Sequence, residues 1–316
     1  MEHKIVFLDR NTLIVNMRKP GFAHHWQDFE QTKPEQVLAH LKDANIAITN
    51  KVKLSGETLA QTPQLKMIAA AATGTDNIDL AYCREHGIVV SNIRNYAVHT
   101  LPEHVFMLML ALRRNLLAWR QDVQNGLWQQ AEQFCLFTQP INDLHGSTLG
   151  IIGYGGLGKS VRKLAEAFGM QVLVAEHKGA SAVREGYTNY DTVIAESDVI
   201  TLHSPLNNAT RHMISTREFE MMKSSAILIN TARGNLVDEA ALETALVSGR
   251  IAGAGFDVLG VEPPREGNRL LRLKLPNFIL TPHVAWGSRQ AMQILADQLV
   301  ENIEAFVAGQ PRNVLT

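Results

Sequence analysis

Two parallel α/β sheets within one chain are what this 316-residue sequence predicts, and three observations carry that prediction. Short apolar runs alternate with amphipathic stretches almost from end to end, as in strands buried on both faces and joined by crossover helices. The alternation is broken near the middle by one long apolar helix pattern and then begins again. At the second start, a glycine-rich loop stands between a strand pattern and a helix pattern.

In the first series, "KIVFL" (4–8), "IAIT" (46–49), "LKMIAAAA" (65–72) and "GIVVSN" (87–92) read as strands. Helices are expected over 34–44 and 76–87, the second stopped by Gly87. The stretch from Thr100 to Asn115, "TLPEHVFMLMLALRRN", is apolar around more of its circumference than a surface helix needs. It suits a connector between domains that also contributes to a subunit interface. The second series supplies six strand patterns, at 147–153, 171–176, 198–203, 225–232, 251–258 and 277–284. A capping box lies at Ser215 to Glu218, and a last amphipathic helix ends at Gly309.

Composition narrows the function classes. Lys plus Arg is 30 and Asp plus Glu 31, for a net charge of −1. That balance gives no electrostatic reason to expect nucleic acid or an anionic membrane as partner. No secretory leader is expected, because Asp9 and Arg10 interrupt the N-terminal apolar stretch. No apolar run approaches the ~18 residues of a membrane span. Cys83 and Cys135 are too few for a disulfide framework or a structural zinc site, and a reducing cytoplasm is the expected location. Histidines and acids show no metal-ligand spacing, so no metal is expected.

"LGIIGYGGLGKSVRKLAEAFG" (149–169) carries Gly153, Gly155 and Gly158 as G-x-G-x-x-G, after a strand pattern and opening a helix pattern. In that context the first glycine allows a tight turn, the second lets backbone approach a pyrophosphate, and the third lets helix and strand pack closely. Glu176 ends the next strand pattern, 18 residues past Gly158. A carboxylate there accepts bonds from ribose hydroxyls and repels a 2′-phosphate, which argues for NAD over NADP. Nearby Lys178 weakens that argument. Arg233, at the end of "ILINTARGN" (227–235), poses a separate question, because a guanidinium beside a buried strand needs an anion or a hydrogen-bond partner. A structural ion pair and a bound anionic ligand answer it equally well at this stage.

Together with the glycine loop, "NTARGNLVDEAAL" (230–242), "GFDVLGVEPP" (255–264) and "TPHVAWGS" (281–288) resemble the D-isomer-specific 2-hydroxyacid dehydrogenases over essentially the whole length. "AATGTDNIDL" (71–80), "AEHKGA" (175–180), "REGY" (184–187) and "HVAW" (283–286) resemble the glycerate dehydrogenase, or hydroxypyruvate reductase, branch. The wider family often has Gly where Ala72 stands, and the alanine reads as a mark of that branch.

The resemblance implies two flavodoxin- or Rossmann-like doubly wound domains with a cleft between them. A discontinuous substrate-binding domain, 1–99 plus 286–316, would flank an NAD-binding domain at 100–285. By position the catalytic residues fall on Arg233, Glu262 and His283. Arg233 would hold a 2-oxo acid by its carboxylate and keto oxygens. His283 would protonate the developing alkoxide, with Glu262 favouring the imidazolium. Cofactor contacts fall on Thr100, Gly153, Gly155, Gly156, Leu157, Gly158, Glu176, Pro205, Thr231, Ala232 and Asp257, the last facing the nicotinamide carboxamide. Thr73, Gly74 and Thr75 would bind the substrate carboxylate, with Asn50, Lys51 and Trp286 as candidate pocket walls. Trp286 serves equally well as a packing residue at the domain junction. The implied activity is NADH-dependent reduction of hydroxypyruvate to D-glycerate by a homodimer. The alternatives are reduction of glyoxylate or another small 2-oxo acid and, from another class, an NAD-sensing binding protein or corepressor on the same fold.

Overall fold

The computed structural model describes residues 2–316, and the chain divides into two compact units. One comprises the chain up to Tyr96 with Gly287–Thr316, the other Ala97–Trp286. The first seam precedes Thr100 because the carbonyl of Ala97 already accepts a helical bond from the Leu101 N–H.

The first unit is a five-stranded parallel sheet of β1 (His3–Phe7), β2 (His24–Asp28), β3 (Ile46–Thr49), β4 (Met67–Ala70) and β5 (Val89–Ser91), in the order β2-β1-β3-β4-β5. Strands β3 and β4 are buried at every residue, which is why they read as unbroken apolar runs. Strand β2 has no such signature. Its sequence HHWQD lies at the sheet edge with no residue fully buried, so polar side chains are tolerated there. Three short helices follow: α1 (Val37–Leu41), α2 (Gly56–Leu59) and α3 (Leu80–Glu85). The helix expected over 34–44 begins instead as a 3-10 turn at Pro34–Gln36, with proline at its first position. The one expected over 76–87 begins only after Asp79, whose side chain accepts the Tyr82 N–H. The C-terminal helix, Arg289–Val307, packs Leu295, Leu299, Val300 and Ile303 inward on this unit.

The second unit opens with α4 (Thr100–Arg113) and α5 (Leu116–Gln124). It continues as β6 (Thr148–Ile152), α6 (Gly156–Ala167), β7 (Gln171–Val174), α7 (Tyr190–Glu196), β8 (Val199–Leu202) and α8 (Thr216–Met221). It closes with β9 (Ile227–Asn230), α9 (Glu239–Val247), β10 (Gly253–Phe256) and β11 (Phe278–Leu280). The sheet is parallel, in the order β7-β6-β8-β9-β10-β11. The chain moves from β6 outward to β7, then crosses back to β8 on the other side of β6. Strand order therefore reverses at β6/β8, and a crevice opens beyond the carboxyl ends of those strands. In the first unit the same reversal occurs at β1/β3. Helix α4 buries Leu101, Val105, Phe106, Leu108, Met109 and Leu112, and packs on β9, β10 and α6. Among the described residues, no helix is long and apolar enough to cross a membrane.

Candidate active site

The glycine loop lies at the β6/β8 reversal. Gly153 has φ +97°, and a Cβ there would lie 2.5 Å from the backbone carbon of His203. At Gly158 a Cβ would lie 2.3 Å from the carbonyl oxygen of Gly153. Both positions exclude any side chain, since the obstruction is backbone. Gly155 differs, because a Cβ there would meet nothing within 4 Å. The chain itself does not require glycine at 155, whereas a ligand approaching the backbone does. Gly155 caps α6 in an extended conformation, and Gly156, Leu157 and Gly158 form its first turn, whose N–H groups have no carbonyl within the helix. Just beyond β9, the Thr231 hydroxyl is buried without a hydrogen-bond partner among the described residues, the mark of a group awaiting a ligand. These residues fit a dinucleotide. Of the other candidates, Thr100 begins α4, and the Pro205 carbonyl accepts the Thr210 hydroxyl at 2.7 Å.

Three neighbouring strands carry the charged candidates off one sheet edge. Asn230 ends β9 beside Phe256 of β10, and Phe256 lies beside Leu280 of β11. Arg233 leaves β9 in extended conformation, and its Nη1 donates to the Ala232 carbonyl at 2.8 Å. The Asn230 side chain pins this turn, donating to the Arg233 carbonyl and accepting from the Ala232 N–H. Glu262, beyond β10, accepts the Leu259 N–H at 2.8 Å through Oε1 and lies 2.6 Å from His283 Nδ1 through Oε2. An ionised carboxylate only accepts, so Nδ1 carries the proton and Nε2 is the nitrogen left for chemistry.

His283 has φ +56°, a left-handed conformation unusual for a histidine. Asp257 holds that turn. Buried to 1 % exposure, it accepts the Thr281 hydroxyl at 2.5 Å and the Val284 N–H at 2.9 Å on Oδ1, and the Ala285 N–H at 2.8 Å on Oδ2. One acceptor position on Oδ2 is left for a ligand. The Thr281 hydroxyl, having donated to Asp257, accepts from His104 Nε2 on α4 at 3.0 Å. Burial holds the His104 pKa below the usual histidine range, opposed by Asp257. The Trp286 indole donates to the His283 carbonyl at 3.0 Å, so this residue braces the turn.

In the first unit, Asn50 and Lys51 follow β3, and their N–H groups, with that of Val52, point at the buried carboxylate of Asp9 beyond β1 at 2.6–3.3 Å. Burial pushes the Asp9 pKa up, and the three N–H groups partly restrain it. Thr73, Gly74 and Thr75 follow β4. The Thr73 hydroxyl donates to the Ile93 carbonyl at 2.6 Å, and its carbonyl accepts from Asn92 at 2.8 Å. The three backbone N–H groups of 73–75 donate to no other described residue, as suits an anion-binding turn.

Glu176 does not present the open carboxylate that its spacing suggests. It is 4 % exposed, and Arg184 grips it through Nε and Nη2, each at 2.7 Å. That pairing, with the His177 N–H, drives its pKa down to about 2. Lys178 turns elsewhere, to Glu218 at 2.8 Å and the Met213 carbonyl at 2.9 Å. Asp9, His104 and Arg184 were not singled out from sequence. Asp9 left a signal as a charge ending an apolar strand, and Arg184 as the first residue of "REGY" (184–187), though neither was given a role.

An α/β sheet whose reversal point carries an open glycine loop, with a carboxylate-paired histidine and an arginine on adjacent strand ends, defines a dinucleotide-binding protein equipped for proton transfer. Residues 106–285 match the model of the D-isomer specific 2-hydroxyacid dehydrogenase NAD-binding domain. The chain is 54% identical to a glycerate dehydrogenase of Methylorubrum extorquens, over 100% of this chain and 99% of that one. Among solved structures it is similar to an acyclic imino acid reductase in complex with NADPH and D-Arg, with TM-score 0.84 and 29% identity over 99% of this chain and 100% of that one. It is also similar to a D-lactate dehydrogenase from Aquifex aeolicus complexed with NAD and lactic acid, with TM-score 0.79 and 30% identity over 97% and 96%. The chain belongs to the D-isomer-specific 2-hydroxyacid dehydrogenase family, in its glycerate dehydrogenase branch.

Proposed function

We propose that this chain reduces hydroxypyruvate to D-glycerate with NADH, reversibly, through Arg233, Glu262 and His283. The 2.6 Å contact between His283 and Glu262, on the strand ends that also carry Arg233, supports the reading most directly. Name and identity of the Methylorubrum relative point to the substrate. When bound, NADH supplies the hydride that reaches C2. Arg233 takes the substrate carboxylate and keto oxygen in its planar donor fork and stabilises charge growing on that oxygen. His283 gives the Nε2 proton to the alkoxide, while Glu262 holds Nδ1–H and stabilises the imidazolium. Run backwards, Nε2 takes the hydroxyl proton.

The open N–H groups of Thr73, Gly74 and Thr75 are further donors for the carboxylate, and Asn50, Lys51 and Trp286 are the candidate determinants of substrate size. The unit with the glycine loop serves as the NAD-binding domain. There Gly153, Gly155, Gly156, Leu157 and Gly158 receive the pyrophosphate. Thr100, Pro205, Thr231 and Ala232 contact the remainder, and Asp257 takes the carboxamide on its open Oδ2 position. The other unit serves as the substrate-binding domain.

A homodimer is part of the proposal, because exposed apolar side chains concentrate in one stretch: Leu116, Val123, Trp128, Phe134 and Phe137, the last two at 91% and 76% exposure. Such a concentration is expected of a covered surface. A cytoplasmic location accords with two unpaired thiols. Steady-state turnover on hydroxypyruvate, glyoxylate, pyruvate and a branched 2-oxo acid tests the substrate assignment. Hydroxypyruvate ranking below pyruvate or the branched acid would overturn it.

A further inference from the structure

We infer that His104, on the long helix α4, is a positioning residue for the cofactor: it fixes the Thr281 hydroxyl so that Asp257 offers the nicotinamide carboxamide one acceptor, on Oδ2. The inference rests on the proposed carboxamide contact of Asp257 and deepens it. Helix α4 packs on β9, β10 and β11, and Thr281 stands just past β11. His104 bridges the two. Its Nε2 lies 3.0 Å from Thr281 Oγ1 and 3.7 Å from Asp257 Oδ1, and the side chain is 13% exposed.

The single hydroxyl proton of Thr281 has two acceptors in reach: Asp257 Oδ1 at 2.5 Å and the Phe256 carbonyl at 3.3 Å. The first bond is short and charge-assisted. The second is long, and that carbonyl already takes the Thr281 N–H at 2.9 Å. His104 decides between them through its own proton. Burial, opposed by Asp257, holds its pKa below the usual histidine range, so the imidazole is neutral at neutral pH and only one nitrogen carries hydrogen. A bare Nε2 would compete for the hydroxyl proton and set two acceptors against each other at 2.5 Å. With Nε2–H, the hydroxyl accepts from His104 and donates onward to Asp257.

The consequence falls on the carboxylate. Each of its oxygens has about two acceptor positions. Oδ1 fills both, with the Thr281 hydroxyl and the Val284 N–H, whereas Oδ2 holds only the Ala285 N–H. A carboxamide N–H therefore meets one acceptor from one direction, which preorganises the ring. Without His104 the hydroxyl is free to turn to the Phe256 carbonyl, and Oδ1 regains an open position. The backbone bonds at the His283 turn do not pass through His104. Val284 and Ala285 donate to the carboxylate directly, and His283 N–H donates to the Asp257 carbonyl at 2.8 Å.

The test is a cofactor titration without substrate. NADH is compared with its acetylpyridine analogue, which carries a methyl ketone in place of the carboxamide and has no N–H to give Asp257. The wild type should prefer NADH by about ten- to a hundredfold, the worth of a hydrogen bond to a charged acceptor. In His104→Phe, NADH should weaken by about three- to tenfold, one neutral hydrogen bond, while the analogue stays within about twofold. His104→Gln, whose amide N–H reaches about as far as Nε2, should restore most of the preference. Thr281→Val cuts the same link from the other side without disturbing α4. It should shrink the preference at least as much, and adding His104→Phe to it should cost nothing further.

Full wild-type preference in His104→Phe or Thr281→Val would overturn the inference. So would equal weakening of both ligands, or losses that add in full in the double variant. Each of these leaves the carboxamide contact standing. A wild type that does not tell the two ligands apart removes that contact and the inference together. If hydroxypyruvate is not reduced and yet His104→Phe shrinks the preference, the substrate reading fails and this inference stands.

Discussion

The two sheets reverse strand order in the same way and build different things at the reversal. In the second unit the crevice over β6 and β8 is framed by glycines and flanked by charged side chains on β9, β10 and β11. At the first unit's reversal, β1/β3, a buried carboxylate gathers three backbone N–H groups, and a turn with unused N–H groups follows β4. The proposed function assigns proton transfer to side chains at one sheet end and anion binding to backbone donors at the other. On that proposal, the same topology separates chemistry from recognition.

Replacing His283 by Gln breaks that division at its most sensitive point. Turnover of hydroxypyruvate should fall by about 10²–10⁴, the usual worth of a positioned acid-base group, while NADH affinity stays within a few-fold. Stopped-flow reduction and cofactor titration on the same preparation check both. Loss of cofactor binding in parallel would mean that His283 only braces the fold. Retained turnover would favour the NAD-sensing alternative.

Acid should act on the two crevices in opposite directions. His203, after β8, sets its backbone against Gly153, and burial lowers its pKa from 6.5 to about 4. A histidine depressed in the folded state stabilises it above the unfolded value and loses that contribution as pH falls from about 6.5 towards 4. The size is on the order of 3 kcal/mol. Asp9 behaves inversely. Its folded-state pKa is raised, so the folded state holds the proton more tightly, and its contribution to stability grows as pH falls towards its unfolded value. Hydrogen exchange followed between pH 7 and pH 4.5 should show protection lost first in the second unit. His203→Asn should flatten that dependence.

The glycines sharpen the contrast between fold and ligand. Gly158→Ala places a methyl against the Gly153 carbonyl and should destabilise the second unit. Gly155→Ala meets only open space in the chain. It should therefore leave the thermal midpoint nearly unchanged while weakening NADH by about ten- to a hundredfold, as one or two charged backbone bonds to pyrophosphate are pushed out of reach. Equal destabilisation by both variants would show that Gly155 serves the fold alone.

What was legible in sequence follows from the same division. Arg233, Glu262 and His283 lie in short contiguous motifs beside buried strands, and such strands advertise themselves as unbroken apolar runs. Strand β2 escaped because an edge strand with no fully buried residue needs no apolar pattern. The position of Glu176 could be read from its distance to the glycines. Its partner could not, since Arg184 sits in a polar loop and only the return of that loop, where the Glu176 N–H meets the Thr188 carbonyl at 2.8 Å, brings it back. The turn at 73–75 was legible only through the resemblance at "AATGTDNIDL", because its donors are backbone N–H groups rather than side chains.

Asp9 is the least conspicuous of these and bears on the smallest effect. Its carboxylate is 4 % exposed and takes the N–H groups of Asn50, Lys51 and Val52. Asp9→Asn keeps the shape but turns an amide N–H₂ towards at least one of those donors. About 1–2 kcal/mol of stability should be lost for a buried N–H left without an acceptor. If the loop at 50–52 borders the substrate, KM for hydroxypyruvate should rise severalfold while kcat, set by His283, and NADH affinity change little. An unchanged KM with the same loss of stability would confine Asp9 to the fold and remove Asn50 and Lys51 from the pocket. A fall in kcat without a rise in KM would mean that the recognition loop also sets the chemical step, and the division between the two sheet ends would fail.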